Sequence, residues 1–395
     1  MVMKTCQFDT KQIACHVCRK NIKSVVLERS DELRATGAAI GVFPNGWRAL
    51  HQLGLDSTLQ STSIPFHRAV DVWAEKDVVR ESLLSEGEAR CLRRTDLVEA
   101  LANALPTDTV RFGCQVVSVD VERSSSYAVL QLHNGSSIKA KVLIGCDGAN
   151  PVTANYIGLT PTQLFSTCAV RGLTIYPNGH GYAPEFLRVR KDKHLVGRIP
   201  IDEKTTYWFV VLQWNQRDAE MPKDPASIKQ MMLAKTSGFS KDVVDMLENC
   251  DLTSLSFTRL RYRAPWSLLS GKFRRENVTV AGDAWHVMGP FLGQGGSAAL
   301  EDAVVLARCL SKKISDNADQ NGRRMHMSAQ KVVEALDEYL KERKRRVVLL
   351  STLTYLRGLL LVEDPSFLSR ILCVVIITVL FRDPLDHTRY DCGEL

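Results

Sequence analysis

Residues 277–310, NVTVAGDAWHVMGPFLGQGGSAALEDAVVLARCL, constrain the fold of this chain more than any other stretch. A polar run ends at Asn277, and Val278-Thr279-Val280-Ala281 then reads as a short β-branched strand that Gly282-Asp283 interrupts. A glycine loop, Gly293-Gln294-Gly295-Gly296, opens a segment whose apolar residues Leu300, Ala303, Val304, Ala307 and Leu310 follow helical spacing. A strand that delivers Gly-Asp into such a loop brings backbone N–H groups and a positive helix end against a polar ligand. Asp283 can accept hydrogen bonds from ligand hydroxyls, because an ionised carboxylate only accepts. The plainer alternative is a turn aspartate that caps its own backbone.

Gly282-Asp283-Ala284, His286, Pro290, Gly293-Gln294-Gly295-Gly296 and Glu301-Asp302-Ala303 together resemble the second flavin-binding signature of the single-component, FAD-dependent aromatic-ring hydroxylases and epoxidases. Upstream, VLIGCDGANPVT at 142–153 is similar to the strand and Asp-Gly motif that serves both FAD and NAD(P)H in that family. The likeness runs from Ile22 to Asp391-Cys392-Gly393 and is greatest to the plant branch related to zeaxanthin epoxidase and salicylate hydroxylase. It implies an α/β fold: a Rossmann-like FAD/NAD(P)-binding domain interleaved with an antiparallel β-sheet substrate domain, plus C-terminal helices.

The same resemblance implies the chemistry. NAD(P)H would reduce FAD, and O2 would supply one oxygen atom to a small aromatic ring or a lipophilic alkene. Pro290, Gly293, Gln294, Gly295 and Gly296 would lie by the flavin ring and Asp283 by the ribityl chain. Glu28, Arg34, Arg94 and Asp147 would be further cofactor-binding residues, with Arg171 near the domain junction. His286 is read either as reaching the site or as a histidine satisfied by hydrogen bonds. No catalytic side chain is implied, since the cofactor carries such reactions; the sequence likewise holds no GxSxG elbow and no HExxH helix.

A family member should open with a buried strand, then GxGxxG, then a helix, so that the backbone can approach the pyrophosphate. This chain has no glycine before Gly37, residues 1–10 are mixed and polar, and only residues 13–20 resemble the tail of that helix. The reading is a sheet lacking its first strand and its phosphate loop. Lost charge-assisted hydrogen bonds of about 1.5–3 kcal/mol each would weaken FAD binding. An alternative function follows: a catalytically impaired truncated isoform or paralogue with weak or no FAD binding.

From Ile22 the pattern resumes. Ser24-Val25-Val26-Leu27 is a short strand ending at Glu28, where an acid suits the adenosine ribose. Trp47, Leu50, Leu53 and Leu55 supply an apolar helix face after Pro44-Asn45, and Arg94 precedes a helix over 97–105. Asn134-Gly135 between alternating runs signals a hairpin whose second arm runs through 144 and ends before Asp147. Alternating strands at 186–190, 194–199 and 207–213 predict an antiparallel sheet, followed by one or two helices over 227–247.

With 395 residues the chain suits more than one core. The division read from the pattern is 1–163 with 264–355 for FAD, 164–263 for substrate and 356–395 as a helical tail. Formal net charge is +7, with the basic residues scattered except for KERKRR at 341–346. That run reads as the solvated end of a helix over 332–340, not as a nucleic-acid patch. Eleven cysteines at irregular spacing imply an intracellular, reducing compartment, with the cytoplasm foremost. Cys15-His16-Val17-Cys18 has metal-ligand spacing but no second pair, so no metal site is expected. Residues 311–328 are polar and read as a surface loop. The apolar run 371–381, opened by Ile371 and closed by Phe381, is shorter than the ~20 residues a bilayer span needs. It reads as a packed helix, with membrane-surface contact as the second option.

Overall fold

The computed structural model describes residues 1–5, 9–33, 38–84, 87–148, 152–214, 222–315, 328–363 and 366–395. Its cofactor-side sheet is parallel at the centre. Val2–Thr5 (β1) lies between Val25–Glu28 (β2) and Leu143–Cys146 (β3), and Val278–Val280 (β4) pairs with β3. In register, Met3 stands level with Val26 on one side and Ile144 on the other.

The reading of a sheet without its first strand is therefore corrected. Val2 and Met3 are 5% and 0% exposed, so two apolar side chains suffice to seat a four-residue strand. Pairing on both edges does the rest, because a ladder depends on backbone groups and not on a long β-branched run. The helix Asp9–Arg19 (α1) follows and buries Ile13, Ala14, Cys15 and Val17. Residues 6–8, which connect strand to helix, fall outside the described residues.

The predicted hairpin forms from Tyr127–Leu132 and Ser137–Ala140, with Gly135 at φ 82° in the turn, where a side chain would be strained. Its second arm stops at Ala140, and the chain changes sheets to enter β3. The larger sheet has seven strands, of which Phe186–Lys191, His194–Pro200 and Thr205–Gln213 pair antiparallel as the alternation predicts. Arg68–Trp73 and Val78–Leu83 join its far edge, so two separate stretches of chain build it. Pro225–Thr236 and Lys241–Glu248 are two helices packed on one face around Trp208 and Met246.

Two readings of the C-terminal third change. The helix begun at the glycine loop, Gly295–Ser315 (α2), extends into the stretch read as loop; residues 316–327 are outside the described ones. The helix Ala329–Val362 (α3) runs straight through the basic stretch, which is not a helix end. Arg343 is 0% exposed and Arg346 is 9% exposed at its side chain, because both face buried carboxylates of α2. The apolar run continues as the helix Phe367–Leu380 (α4). No helix among the described residues is long and apolar enough to cross a membrane.

Candidate functional site

Parallel strands put their carboxyl ends on one edge, and that edge gathers the acidic residues. Glu28 is the last residue of β2, Asp147 follows β3, and Gly282-Asp283 follow β4. Glu28 is level with Thr5, which is level with Cys146. This is the place where open α/β sheets hold ligands.

The carboxylates differ in what holds them. Glu28 is 7% exposed, and its Oε1 accepts the Ser30 N–H at 3.1 Å. Asp147 accepts the Thr153 N–H through Oδ2 at 3.1 Å, which caps the helix Val152–Ile157; the capping role foreseen for a turn aspartate thus falls here. Asp283 is half-buried at the start of Asp283–His286. Desolvation pushes its carboxyl above the usual range, against the opposing pull of His286 and Arg94.

Arg94 opens the helix Arg94–Asn103 and lies within electrostatic reach of both Asp283 and Lys11. Lys11, in the first turn of α1, is 1% exposed, and burial lowers its pKa while Glu28 raises it and Arg94 lowers it. Two cations, Lys11 and Arg94, flanked by two acids, Glu28 and Asp283, therefore link the ends of β2 and β4 electrostatically. Sequence reasoning missed Lys11; the only signal was a lysine within an otherwise apolar helix face.

The glycine loop opens the helix whose Asp302 holds the Gly282 N–H. Pro290 is exposed at the start of the turn Pro290–Leu292, and Gly293 takes the left-handed conformation at φ 64°. Gly295 and Gly296 begin α2, leaving its first N–H groups without side chains in front of them. A Cβ built on Gly295 would meet only Met288 Cγ, at 4.0 Å. Gln294 is pinned, since its Oε1 accepts from Asn45 Nδ2 at 2.8 Å. Arg34 lies outside the described residues, so the charges the structure brings together are those of Glu28, Arg94, Asp147 and Asp283.

A buried ionic network holds the Gly-Asp turn from behind. Asp302 Oδ2 accepts the Gly282 N–H at 3.0 Å and pairs with His286 Nε2 at 2.7 Å, while Arg343 Nε donates to Oδ1 at 2.8 Å. Glu301 pairs with Arg343 Nη1 at 2.7 Å and Arg346 Nη2 at 3.1 Å, and accepts from Asn45 at 2.6 Å. Burial alone would raise both carboxyls; their cationic partners reverse this and hold Asp302 at about 2 and Glu301 below its usual range. For His286 burial disfavours the charged ring, but Asp302 overrides it, and its pKa rises. His286 is thus the hydrogen-bonded histidine of the two readings, 0% exposed. Arg263, buried at the end of the seven-stranded sheet, donates to the carbonyls of Trp285 at 2.7 Å, Ala284 at 3.1 Å and Thr160. Neither Arg263 nor the burial of Arg343 and Arg346 shows in the sequence, where each reads as an ordinary cation. Arg171 donates instead to Thr258 within the seven-stranded sheet, at 2.6 Å.

The thiols of Cys15 and Cys18 are engaged with the Leu101 carbonyl and the Ser24 hydroxyl, and burial pushes Cys15 up to about 12. No disulfide joins two of the described cysteines.

These residues fit a dinucleotide cofactor such as FAD. Thr10 Oγ1 and both amide atoms of Gln12, in the first turn of α1, are buried without a hydrogen-bond partner, as are Gln294 Nε2 and Ser297 Oγ at the start of α2. Orphaned polar atoms at two helix starts, with open space at Gly295 and acids at the strand ends, match a ligand rich in hydroxyls and phosphate oxygens.

Comparisons with known proteins agree. The model of the family described as FAD binding domain matches residues 13–347. "Monooxygenase 1" of Arabidopsis thaliana is 48% identical over 386 residues, covering 97% of this chain and 95% of the relative. "Monooxygenase 2" of the same plant is 34% identical over 95% of this chain and 93% of its own length. Among solved structures, Klebsiella pneumoniae HpxO complexed with FAD and uric acid superposes with a TM-score of 0.79 at 19% identity, over 98% of this chain and 96% of that one. On these grounds the chain belongs to the FAD-dependent aromatic-ring hydroxylase family of flavoprotein monooxygenases, alongside its plant members.

Proposed function

We propose that this protein is an FAD-dependent monooxygenase that uses NAD(P)H and O2 to hydroxylate or epoxidise a small aromatic or lipophilic alkene substrate. The observation that carries the reading is the placement of Glu28, Asp147 and Asp283 at the carboxyl ends of neighbouring strands, with the Gly-Asp turn held by Asp302 of the glycine-opened helix α2. Bound FAD would supply the redox chemistry that transfers one oxygen atom of O2. The chain's own groups would bind and orient it: Glu28 the adenosine ribose, Lys11 and Arg94 the pyrophosphate charge, Asp283 the ribityl hydroxyls, and the first N–H groups of α2 the flavin. The Asp302 network would keep Gly282 and Asp283 in place as hydroxyls dock.

The domain division into 1–163 with 264–355, 164–263 and 356–395 is part of this proposal, with strands from 68–83 lent to the substrate-side sheet. So is a reducing compartment, which eleven cysteines at irregular spacing suit.

The second reading, an impaired variant that holds FAD weakly or not at all, is favoured by the glycine-free connection between β1 and α1. One titration separates the two. Protein purified from cells and titrated with FAD should show a flavin spectrum near one equivalent, bleached by NAD(P)H and restored by air. No bound flavin at saturating FAD would leave the impaired variant.

A further inference from the structure

We propose that the outer face of α4 docks on a membrane surface that carries anionic lipid. α4 touches the protein along a narrow strip only. Cys373 is buried, and Ile377 and Phe381 pack on the cluster of Leu292, Ala298, Leu350 and Leu353, as does Met288 in the loop before Pro290. Outward, Phe367 and Leu368 are 76% and 77% exposed, and Leu372, Val375, Val379 and Leu380 are 50–61% exposed. A surface helix normally turns polar side chains to water, and this one turns its apolar ones. Trp266 and Leu269, 55% and 64% exposed on the short helix Pro265–Ser270, add to the apolar surface. That helix and α4 meet α3 near Tyr355, whose ring lies 5.7 Å from that of Trp266 and within electrostatic reach of Cys373.

Three features favour a lipid occupant over a protein. First, α4 has 14 residues, or roughly 21 Å, too short to span a bilayer but suited to lying in its interface with a tryptophan at headgroup depth. Second, the face offers a partner few hydrogen bonds. Thr378 donates to the Val374 carbonyl and Ser369 bonds Ser366, whereas protein interfaces carry about one hydrogen bond per 100–200 Å². Third, Arg382 and Lys272 are exposed beside the apolar surface, while Glu363 accepts the Ser166 N–H at 2.7 Å and Asp383 pairs with Arg389. Exposed cations next to an apolar face complement an anionic headgroup layer.

If the proposed oxygenase function holds, on which this clause alone rests, the docked helix would deliver a lipophilic substrate at the loop beside the flavin. The docking itself is tested without reference to flavin. Full-length protein is floated with phosphatidylcholine vesicles with and without 30 mol% phosphatidylserine, about a physiological anionic fraction, alongside the double variant Leu372→Asp/Val375→Asp. The wild type should float with the anionic vesicles and lose binding in high salt, and the double variant should partition at least about tenfold less, as expected when acids replace buried apolar area. Circular dichroism melts of the two proteins should coincide, since both positions face outward. Failure of the wild type to float, equal flotation of the variant, or a dimer seen by light scattering that the variant abolishes would each overturn the proposal. Flavin content measured on the same samples keeps this result separate from the cofactor reading.

Discussion

Replacing Arg343 by methionine tests the buried network most directly. The guanidinium is 0% exposed and ion-paired to Glu301 at 2.7 Å and to Asp302 at 2.8 Å, both themselves 0% exposed. Methionine fills similar space but strands part of two buried charges. Removing one partner of a buried pair typically costs about 3–5 kcal/mol. Here Glu301 keeps Arg346 and Asn45, and Asp302 keeps His286 and the Gly282 N–H, so the lower half of that range, roughly 3 kcal/mol, is expected. Denaturant unfolding followed by far-ultraviolet circular dichroism reads this loss. Arg343→Lys should fall between the two proteins, because an ammonium restores charge without the two-pronged fork.

The same network has a pH signature. Asp302 is held at about 2 in the fold, below the ordinary carboxylate, so its contribution is present above pH ~4 and is lost as pH falls toward 2. The stake is on the order of 2 kcal/mol. In Arg343→Met one cation is gone, and acid unfolding should begin at higher pH than in the wild type. A loss below about 1 kcal/mol, with an unchanged acid limb, would refute the view that this arginine secures the turn.

Three further outcomes are expected. Gly295→Ala should leave the melting temperature of flavin-free protein unchanged, because its Cβ enters open space, yet lower FAD affinity by about tenfold or more, roughly 1.4 kcal/mol, as read by fluorescence titration. Gly172→Ala should destabilise by about 1–3 kcal/mol in denaturant, since its Cβ would sit 2.5 Å from Trp208 Cζ2, and a neutral result would mean that the strand shifts freely. His286 has a raised folded pKa, so its stabilisation is complete below the ordinary imidazole value near 6.5 and is lost as pH rises through the folded value; His286→Gln should flatten the alkaline side of the stability profile.

How far the site was legible differs residue by residue. The helical spacing of Leu300, Ala303, Val304, Ala307 and Leu310 points to one buried face, and all five are at most 1% exposed. Asp283, Gly293 and Gln294 lie where the motif places them because a strand end, a turn and a helix start are local events. Lys11, Arg263, Arg343 and Arg346 are a different case. Their partners lie far along the chain, 41 residues away for Arg343 and Asp302, and no spacing rule connects them. A basic run in a helix looks the same whether its cations face water or carboxylates.

What the sequence by itself determined is the local chemistry: a Gly-Asp turn after a short strand, a glycine-opened helix, a hairpin at Asn134-Gly135, and a family likeness that spans most of the chain. These follow from φ/ψ preferences and hydrophobic period, which act over a few residues. Only the tertiary structure decided that Val2–Thr5 completes the parallel sheet, that Glu301 and Asp302 are neutralised from α3, and that α4 turns its apolar face outward. Each of these depends on which surfaces meet across long sequence separations, where burial and charge pairing outweigh the local propensity of the segment.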